Sequence, residues 1–372
     1  MIYFFRVCRF SESVEKYDME TKIIKIRPAG GTFTPEEDAA LRRAGEIIRD
    51  GGLVAFPTET VYGLGGDALN KESSRKIYAA KGRPSDNPLI VHICRLEDIM
   101  RIVPQLSPEA EKIAEAFWPG PLTMILPKSA QVPYETTGGL DTVAVRFPSD
   151  KIAQKLIAYS GGFVAAPSAN LSGKPSPTSI KYVMEDMRGR IEMIIDGGDS
   201  EIGLESTIVD CTVQPPQILR PGYITREMLD DVLGAVDVDV TTIRADSGQA
   251  PKAPGMKYRH YAPKGDLVIV EGAPERVISY INEHTAEDNA AGEKTGIIGT
   301  SELLEQYRAD SVKCIGSRSE EYGIARNLYT ILRQFDDEQV TKIYSEGFET
   351  EGLGQAIMNR LLKAAGHHVV HV

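Results

Sequence analysis

The sequence predicts two domains of different class: an α+β domain with a curved, mixed sheet over residues 34–225, and a smaller α/β domain with a parallel sheet over residues 265–372. Three observations predict this. A chain of 372 residues is too long for one ordinary hydrophobic core. Between Thr34 and Thr225 the strand-like runs outnumber the helical ones and are separated by loops carrying Pro or Gly, which suits a mixed sheet better than a doubly wound one. From Asp266 onward, strand and helix patterns alternate cleanly, the rhythm of parallel crossovers.

Leu53-Val54-Ala55-Phe56 reads as a buried strand closed by Pro57. Residues 72–80 read as a helix stopped before Gly82 and Pro84, and 89–93 as the next strand. Ser107-Pro108-Glu109 combines an N-cap, a first-turn proline and an acid at the positive helix end, so a helix should run from there to Trp118. Further strands fit 122–126, 142–147, 162–166, 191–195, 206–211 and 217–220, with a helix opening at Thr178. Residues 226–264 change character and read as a linker, although the aromatic and basic residues of 257–261 are unusual for a mere spacer. The second domain should comprise strands at 267–271, 295–299, 312–316 and 340–345, with helices at 274–284, 301–308, 319–335 and 354–365.

A composition of 42% hydrophobic and 26% charged residues is that of a soluble globular protein. The net charge of -11 argues against sequence-independent nucleic-acid binding, which needs a Lys/Arg excess, while leaving room for a local basic cleft. Cys8, Cys94, Cys211 and Cys314 are far apart, which disfavours zinc ribbons and disulfide frameworks and fits a reducing cytoplasm. No apolar run approaches the ~18–20 residues of a membrane span. Residues 1–25 read as a peripheral N-terminal extension, with Met19 an alternative start to Met1.

The polar residues gather at strand and helix ends. Lys81 and Arg83 fit either a solvated helix C-terminus or one wall of a polyphosphate site, and the rigid run Pro84-Ser85-Asp86-Asn87-Pro88 favours the latter. Ser168 and Asn170 fit a polar turn or a second wall, since small donors continue through Ser172-Gly173 to Ser176. Pro57-Thr58-Glu59-Thr60 follows a strand and is bracketed by Gly51-Gly52 and Gly65-Gly66, which allow close backbone approach to a ligand. Thr142, Ala144 and Arg146 share one strand face, so Arg146 has room to take a carboxylate. His92 sits in an apolar strand and fits a structural role equally well. Glu205-Ser206-Thr207 and Arg220-Pro221-Gly222 repeat the theme at two more strand ends. His367, His368 and His371 have metal-like spacing but read better as a frayed tail. Hydroxyls, amides and cations without a nucleophile triad suit chemistry by positioning and charge neutralisation at phosphorus.

At this point the chain resembles the YrdC-like threonylcarbamoyl-AMP synthases in their two-domain form. The resemblance rests on PTETVYGL (57–64), KGRPSDNPLI (81–90), TVAVRF (142–147), APSAN (166–170), ESTIVD (205–210) and the linker PGMKYRHYAP (254–263). It implies a YrdC-like first domain and a Rossmann-like second one. It also implies synthesis of L-threonylcarbamoyl-AMP and pyrophosphate from L-threonine, bicarbonate or CO₂ and ATP with Mg²⁺, the product passing to a tRNA threonylcarbamoyl-transfer enzyme or complex. The family's tetrad would be Lys81, Arg83, Ser168 and Asn170. Threonine would contact Thr60, His92, Arg146 and Ser206; ATP would contact Arg83, Asn87, Thr142, Ser168, Ser176 and Arg220. Lys257, Tyr258 and His260 would belong to a lid, and the Mg²⁺ ligands are left open. Two other functions compete: a double-stranded RNA or tRNA-binding module without chemistry of its own, disfavoured by the acidic charge; and a carbamoyl-transfer enzyme for metal-centre assembly, disfavoured by the lack of Cys-x-x-Cys repeats. A weak direct contact with tRNA is compatible with the first reading.

Overall fold

A computed structural model describes residues 19–239 and 260–372. The first domain contains strands β1 (Lys22–Lys25), β2 (Val54–Phe56), β3 (Gly63–Asp67), β4 (Ile90–His92), β5 (Leu122–Pro127), β6 (Thr142–Arg146), β7 (Val164–Ala165), β8 (Met193–Asp196), β9 (Thr207–Asp210), β10 (Gln217–Arg220) and β11 (Asp237–Val238). They form one sheet ordered β1-β8-β2-β3-β7-β4-β6-β5-β9-β10-β11. Parallel pairs such as β4–β6 and β5–β9 alternate with antiparallel pairs such as β2–β3 and β5–β6, so the sheet is mixed as expected.

Helices cover both faces. They are α1 (Pro35–Arg49), α2 (Lys71–Lys81), α3 (Ile99–Ile102), α4 (Pro108–Phe117), α5 (Tyr134–Thr137), α6 (Lys151–Tyr159), α7 (Ile180–Met187) and α8 (Arg226–Leu233). The two-sided cover explains why β2 is wholly apolar: Val54 and Phe56 enter one core cluster with Leu41, Ile48 and Leu156, while Ala55 enters the opposite one with Ile77 and Val91. Helix α1 starts on a reciprocal cap: Thr34 Oγ1 accepts from the Glu37 amide at 3.2 Å, and Glu37 accepts from the Thr34 amide at 3.0 Å. Helix α2 ends at Gly82 in the left-handed region (φ 61°), a conformation glycine adopts without a Cβ penalty. This sharp stop sets Lys81 on the helix and Arg83 on the turn beyond it.

The second domain holds β12 (Asp266–Glu271), α9 (Pro274–Ala290), β13 (Thr295–Thr300), β14 (Ser311–Gly316), α10 (Glu321–Asp337), β15 (Lys342–Glu346), α11 (Gly352–Ala364) and β16 (Val369–His371). Its five strands, ordered β14-β13-β15-β12-β16, are all parallel. Several expectations need correction. Residues 226–238, read as linker, form α8 and β11, and β11 extends the first sheet beside β10. Residues 301–308 make only a single tight turn, at Leu304–Gln306. Helix α7 begins at Ile180, two residues beyond Thr178. The C-terminal histidines are no frayed tail: Val369–His371 pair with β12, and His371 Nδ1 lies 3.3 Å from Glu271 Oε2.

The two domains share a polar, well-filled seam. Arg333 of α10, 1% exposed, donates to both Asp186 carboxylate oxygens and twice to the Pro175 carbonyl. Val61 and Leu204 of the first domain pack into the second domain's core with Leu328 and Tyr329. Gly203 lies against α10 so closely that a Cβ would stand 2.5 Å from the Arg326 Cα, which requires glycine there.

Candidate active site

The sheet's order brings strand ends from distant parts of the chain to one place. His92 closes β4 and Arg146 closes β6, and the two are register partners across that parallel pair. Thr123 opposes Arg146 on β5, and its Oγ1 lies 2.7 Å from the Ser206 Oγ just ahead of β9. Arg220 closes β10 and donates to the Ser206 carbonyl at 3.1 Å and hydroxyl at 3.2 Å. Gly63 and Ser168 make an isolated backbone bridge. Between them lies a concave pocket, partly open to solvent. Its walls include Thr60, Lys81, Arg83, His92, Arg146, Ser168, Asn170, Ser176, Ser206, Arg220 and His260.

Lys81 is buried and Arg83 half-buried in this pocket, and both are held mostly by neutral groups. The Lys81 ammonium, 2% exposed, donates to the Ser168 carbonyl, to the Asn170 carbonyl at 2.5 Å and to Asn170 Oδ1 at 3.5 Å. Arg83 donates to the carbonyls of Asn87 at 3.3 Å and Pro88 at 3.1 Å. Burial and the neighbouring Arg83 charge push Lys81 well below the usual lysine range, and burial lowers Arg83 to about 10. An anion brought into this pocket would favour the charged form of both groups.

Arg146 is a separate case. Its Nη2 stands 2.7 Å from Glu59 Oε1, with both side chains nearly inaccessible. Yet Arg146 Nε and Nη2 and both Glu59 oxygens lack a hydrogen-bond partner among the described residues. The two charges pair at this distance, but the misalignment leaves these atoms without a hydrogen bond, whose strength falls steeply with angle. Arg146 thus keeps donors buried and unused, a costly state that a ligand carboxylate would relieve. His92 Nδ1 lies 3.1 Å from the Ile90 carbonyl. Burial, reinforced by Arg146, lowers the ring to about 3, so it is neutral at ordinary pH. Burial and the cations around it lower His260 likewise to about 3.

Two of the residues expected at ATP do not line this pocket. Thr142 begins β6, paired with Pro127, four residues from Arg146 and therefore roughly 13 Å away along the strand. The Asn87 side chain is buried outside the pocket wall with Oδ1 unpartnered among the described residues; its backbone carbonyl holds Arg83. Lys257 and Tyr258 lie outside the described residues. The structure adds Thr58, whose Oγ1 is 2.9 Å from Thr60 Oγ1, together with Glu205 and Tyr261. The Thr-x-Thr spacing pointed to Thr58. Glu205 had a signal in its neighbour Ser206, but two of its partners, Tyr329 and Arg360, come from the other domain. Among the described residues, no cluster of three His, Cys, Asp or Glu side chains is placed to hold a metal ion. Oxygen donors are present in another form: Ser168 Oγ donates to Asn170 Oδ1 at 2.5 Å on the pocket wall.

Comparison with known proteins gives concordant matches. A family model described as "Telomere recombination" matches residues 46–222, and one described as "Threonylcarbamoyl-AMP synthase, C-terminal domain" matches 224–366. A threonylcarbamoyl-AMP synthase of Pyrococcus abyssi is 50% identical over 336 residues, covering 90% of this chain and 97% of that protein. The Bacillus subtilis protein of the same name is 46% identical over 334 residues, covering 90% and 95%. The crystal structure of P. abyssi Sua5 complexed with L-threonine superimposes with a TM-score of 0.89 at 47% identity, over 95% of this chain and all of that one.

Proposed function

The chain belongs to the two-domain threonylcarbamoyl-AMP synthase family, and from that premise we propose how its own residues perform the synthesis. The enzyme makes L-threonylcarbamoyl-AMP for threonylcarbamoyladenosine modification of tRNA. In our reading the substrates are L-threonine, bicarbonate or CO₂, and ATP. The observation that carries it is one pocket in which an arginine has unused donors while a lysine and another arginine donate to carbonyl and amide oxygens.

Threonine's carboxylate pairs with Arg146, a charge-assisted contact of about 1.5–3 kcal/mol, and its hydroxyl lies among Thr60, Ser206 and the neutral His92. The amine captures CO₂ as a carbamate. One carbamate oxygen then attacks the α-phosphorus of ATP; the new O–P bond forms as the bond to the β-phosphate oxygen breaks, and pyrophosphate leaves. Lys81 and Arg83 neutralise the phosphate oxygens, with Arg220, Ser168 and Ser176 completing the cradle. Holding three small reactants in line contributes up to ~7–11 kcal/mol in ideal cases. Excluding water protects the labile carbamate, a role that suits the buried His260 and Tyr261 on the pocket wall. Asn87 and Thr142, outside the pocket's lining, would contact the part of ATP that extends beyond it. Mg²⁺ enters with ATP and would screen the phosphate charge. Ser168 and Asn170 fit it as a hydroxyl and an amide oxygen, since this ion is commonly held by phosphates, waters and few protein ligands.

No helix among the described residues is long and apolar enough to cross a membrane. On this reading the enzyme works in the cytoplasm and hands its product to a tRNA threonylcarbamoyl-transfer enzyme or complex. The test is pyrophosphate release from ATP with each substrate withheld in turn. Release should require threonine and bicarbonate together; release that ignores threonine would sink the proposal, and tight RNA binding without turnover would favour the RNA-binding alternative.

A further inference from the structure

The pocket is built by the first domain, yet two of its loops are tied down by the second. Glu205, 7% exposed, precedes Ser206. Its carboxylate accepts from Ser176 Oγ at 2.6 Å, from Tyr329 Oη at 2.9 and 3.1 Å, and from Arg360 Nε at 3.0 Å. Arg360, fully buried on α11, also donates to the Glu205 carbonyl at 3.3 Å and to the Pro221 carbonyl at 2.6 Å. One guanidinium therefore joins the loop that carries Ser206 to the loop that follows Arg220. Those two residues in turn hold each other.

We propose that Arg360 and Tyr329 of the second domain are positioning residues for catalysis: through Glu205 and Pro221 they fix the Ser206 and Arg220 wall, so the active site is complete only when the two domains are docked. The proposal rests on the function assigned above. A guanidinium spreads donors over a rigid plane, so it can span two loops in a way a point charge cannot. Displacing a reacting group by as little as ~1 Å can cost on the order of a hundredfold in rate.

Glu205 faces Arg360 and Tyr329 from the second domain, Arg220 and Ser176 from the first, His260 and Tyr261 from the segment between, and Lys363 farther along α11. Burial alone would raise its carboxyl; Arg360 first and Arg220 second bring it down to about 2. Removing Arg360 leaves burial less opposed. The carboxyl should then take up a proton within the working pH range and release its grip on the loop.

The experiment compares full-length Tyr329→Phe, Arg360→Met and Arg360→Lys with wild type, reading kcat and KM for threonine and ATP, the pH profile of kcat/KM, and Tm. Arg360→Met should lower kcat/KM about a hundredfold and Tyr329→Phe about tenfold in folded protein. Arg360→Met should also gain an acidic limb in the profile at a higher pH than any such limb in wild type. Arg360→Lys should remove that limb while restoring rate only in part. Folded variants with lower Tm but wild-type kcat/KM and profile would overturn the proposal, leaving the contact purely structural. Should Arg360→Met fail to fold, Tyr329→Phe decides alone, and an unchanged kcat/KM overturns the proposal. A wild type without threonine-dependent turnover would instead overturn the assigned function, so the two failures are distinguishable.

Discussion

The pocket and the domain seam both bury arginine and lysine, and they do so in opposite ways. At the seam, Arg333 and Arg360 each meet a carboxylate and carbonyls in good geometry. In the pocket, Lys81 and Arg83 meet neutral carbonyls and an amide, and Arg146 meets a carboxylate at a poor angle with donors to spare. Taking a charge out of water is costly unless it is paired and hydrogen-bonded. The seam meets that requirement within the protein, so its charges hold the fold together. The pocket leaves it unmet, so its charges are poised for anions that come from outside. Burial and charge do not separate structure from function here; the identity of the partner does.

That difference can be broken or sharpened by experiment. The largest effect should follow from breaking the seam. Arg333→Met strands Asp186, which keeps only Lys174 at 2.7 Å and the Leu171 amide at 3.2 Å, and should cost about 3 kcal/mol of stability. A denaturation midpoint equal to wild type would show that the seam's pairs are dispensable.

A smaller effect is expected from Arg146→Lys, which keeps the charge and loses the planar fork. The KM for threonine should rise about tenfold or more, matching the loss of about 1.5–3 kcal/mol, with little change in the KM for ATP. An equal rise for both substrates would remove the assignment of Arg146 to the amino acid.

Acid should separate the two regions most gently. His92 and His260 sit at about 3 in the folded protein and near 6.5 when unfolded. The unfolded chain therefore binds more protons below that value. The stability these histidines contribute is complete above it and is lost as pH falls, by about 1.4 kcal/mol per pH unit each. Glu205, lowered to about 2 from 4.5, follows the same sign but begins to lose its contribution only below 4.5. Between pH 6.5 and 5, then, the pocket histidines weaken while the Glu205 contact at the seam holds. Tm should drop over that window in wild type and drop less in His92→Gln; identical slopes would contradict it.

The sequence carried much of the pocket because its groups stand at strand and helix ends marked by Pro and Gly. Lys81 and Arg83 around a helix-stopping Gly82, and Ser168 and Asn170 behind a strand, are local patterns. Thr142 shares a strand face with Arg146 but stands four residues away along the strand, outside the pocket's lining. Strand β3 was missed because Gly63, Gly65 and Gly66 are poor strand formers. Only the structure shows what they allow: a Cβ on Gly65 would lie 2.8 Å from Val164. The tight turn in place of a helix at 301–308 and the pairing of Val369–His371 with β12 were set by tertiary context that no local pattern encodes. Glu205 stood in a legible run beside Ser206, but its partners Tyr329 and Arg360 were illegible for the plainest reason: more than 100 residues separate them from it, and a lone Arg or Tyr on a helix carries no signal.

The central claim is that the pocket's cations are kept for an incoming polyanion, and Lys81 tests it most directly. Titration calorimetry of ATP with Mg²⁺ into wild type and Lys81→Met, with Tm of the ligand-free proteins measured alongside, reads both halves of the claim. The account predicts at least about tenfold weaker ATP binding in Lys81→Met and a ligand-free Tm close to that of wild type, since no buried anion loses its partner. Undiminished ATP affinity, or a loss of ligand-free stability as large as that of Arg333→Met, would contradict it.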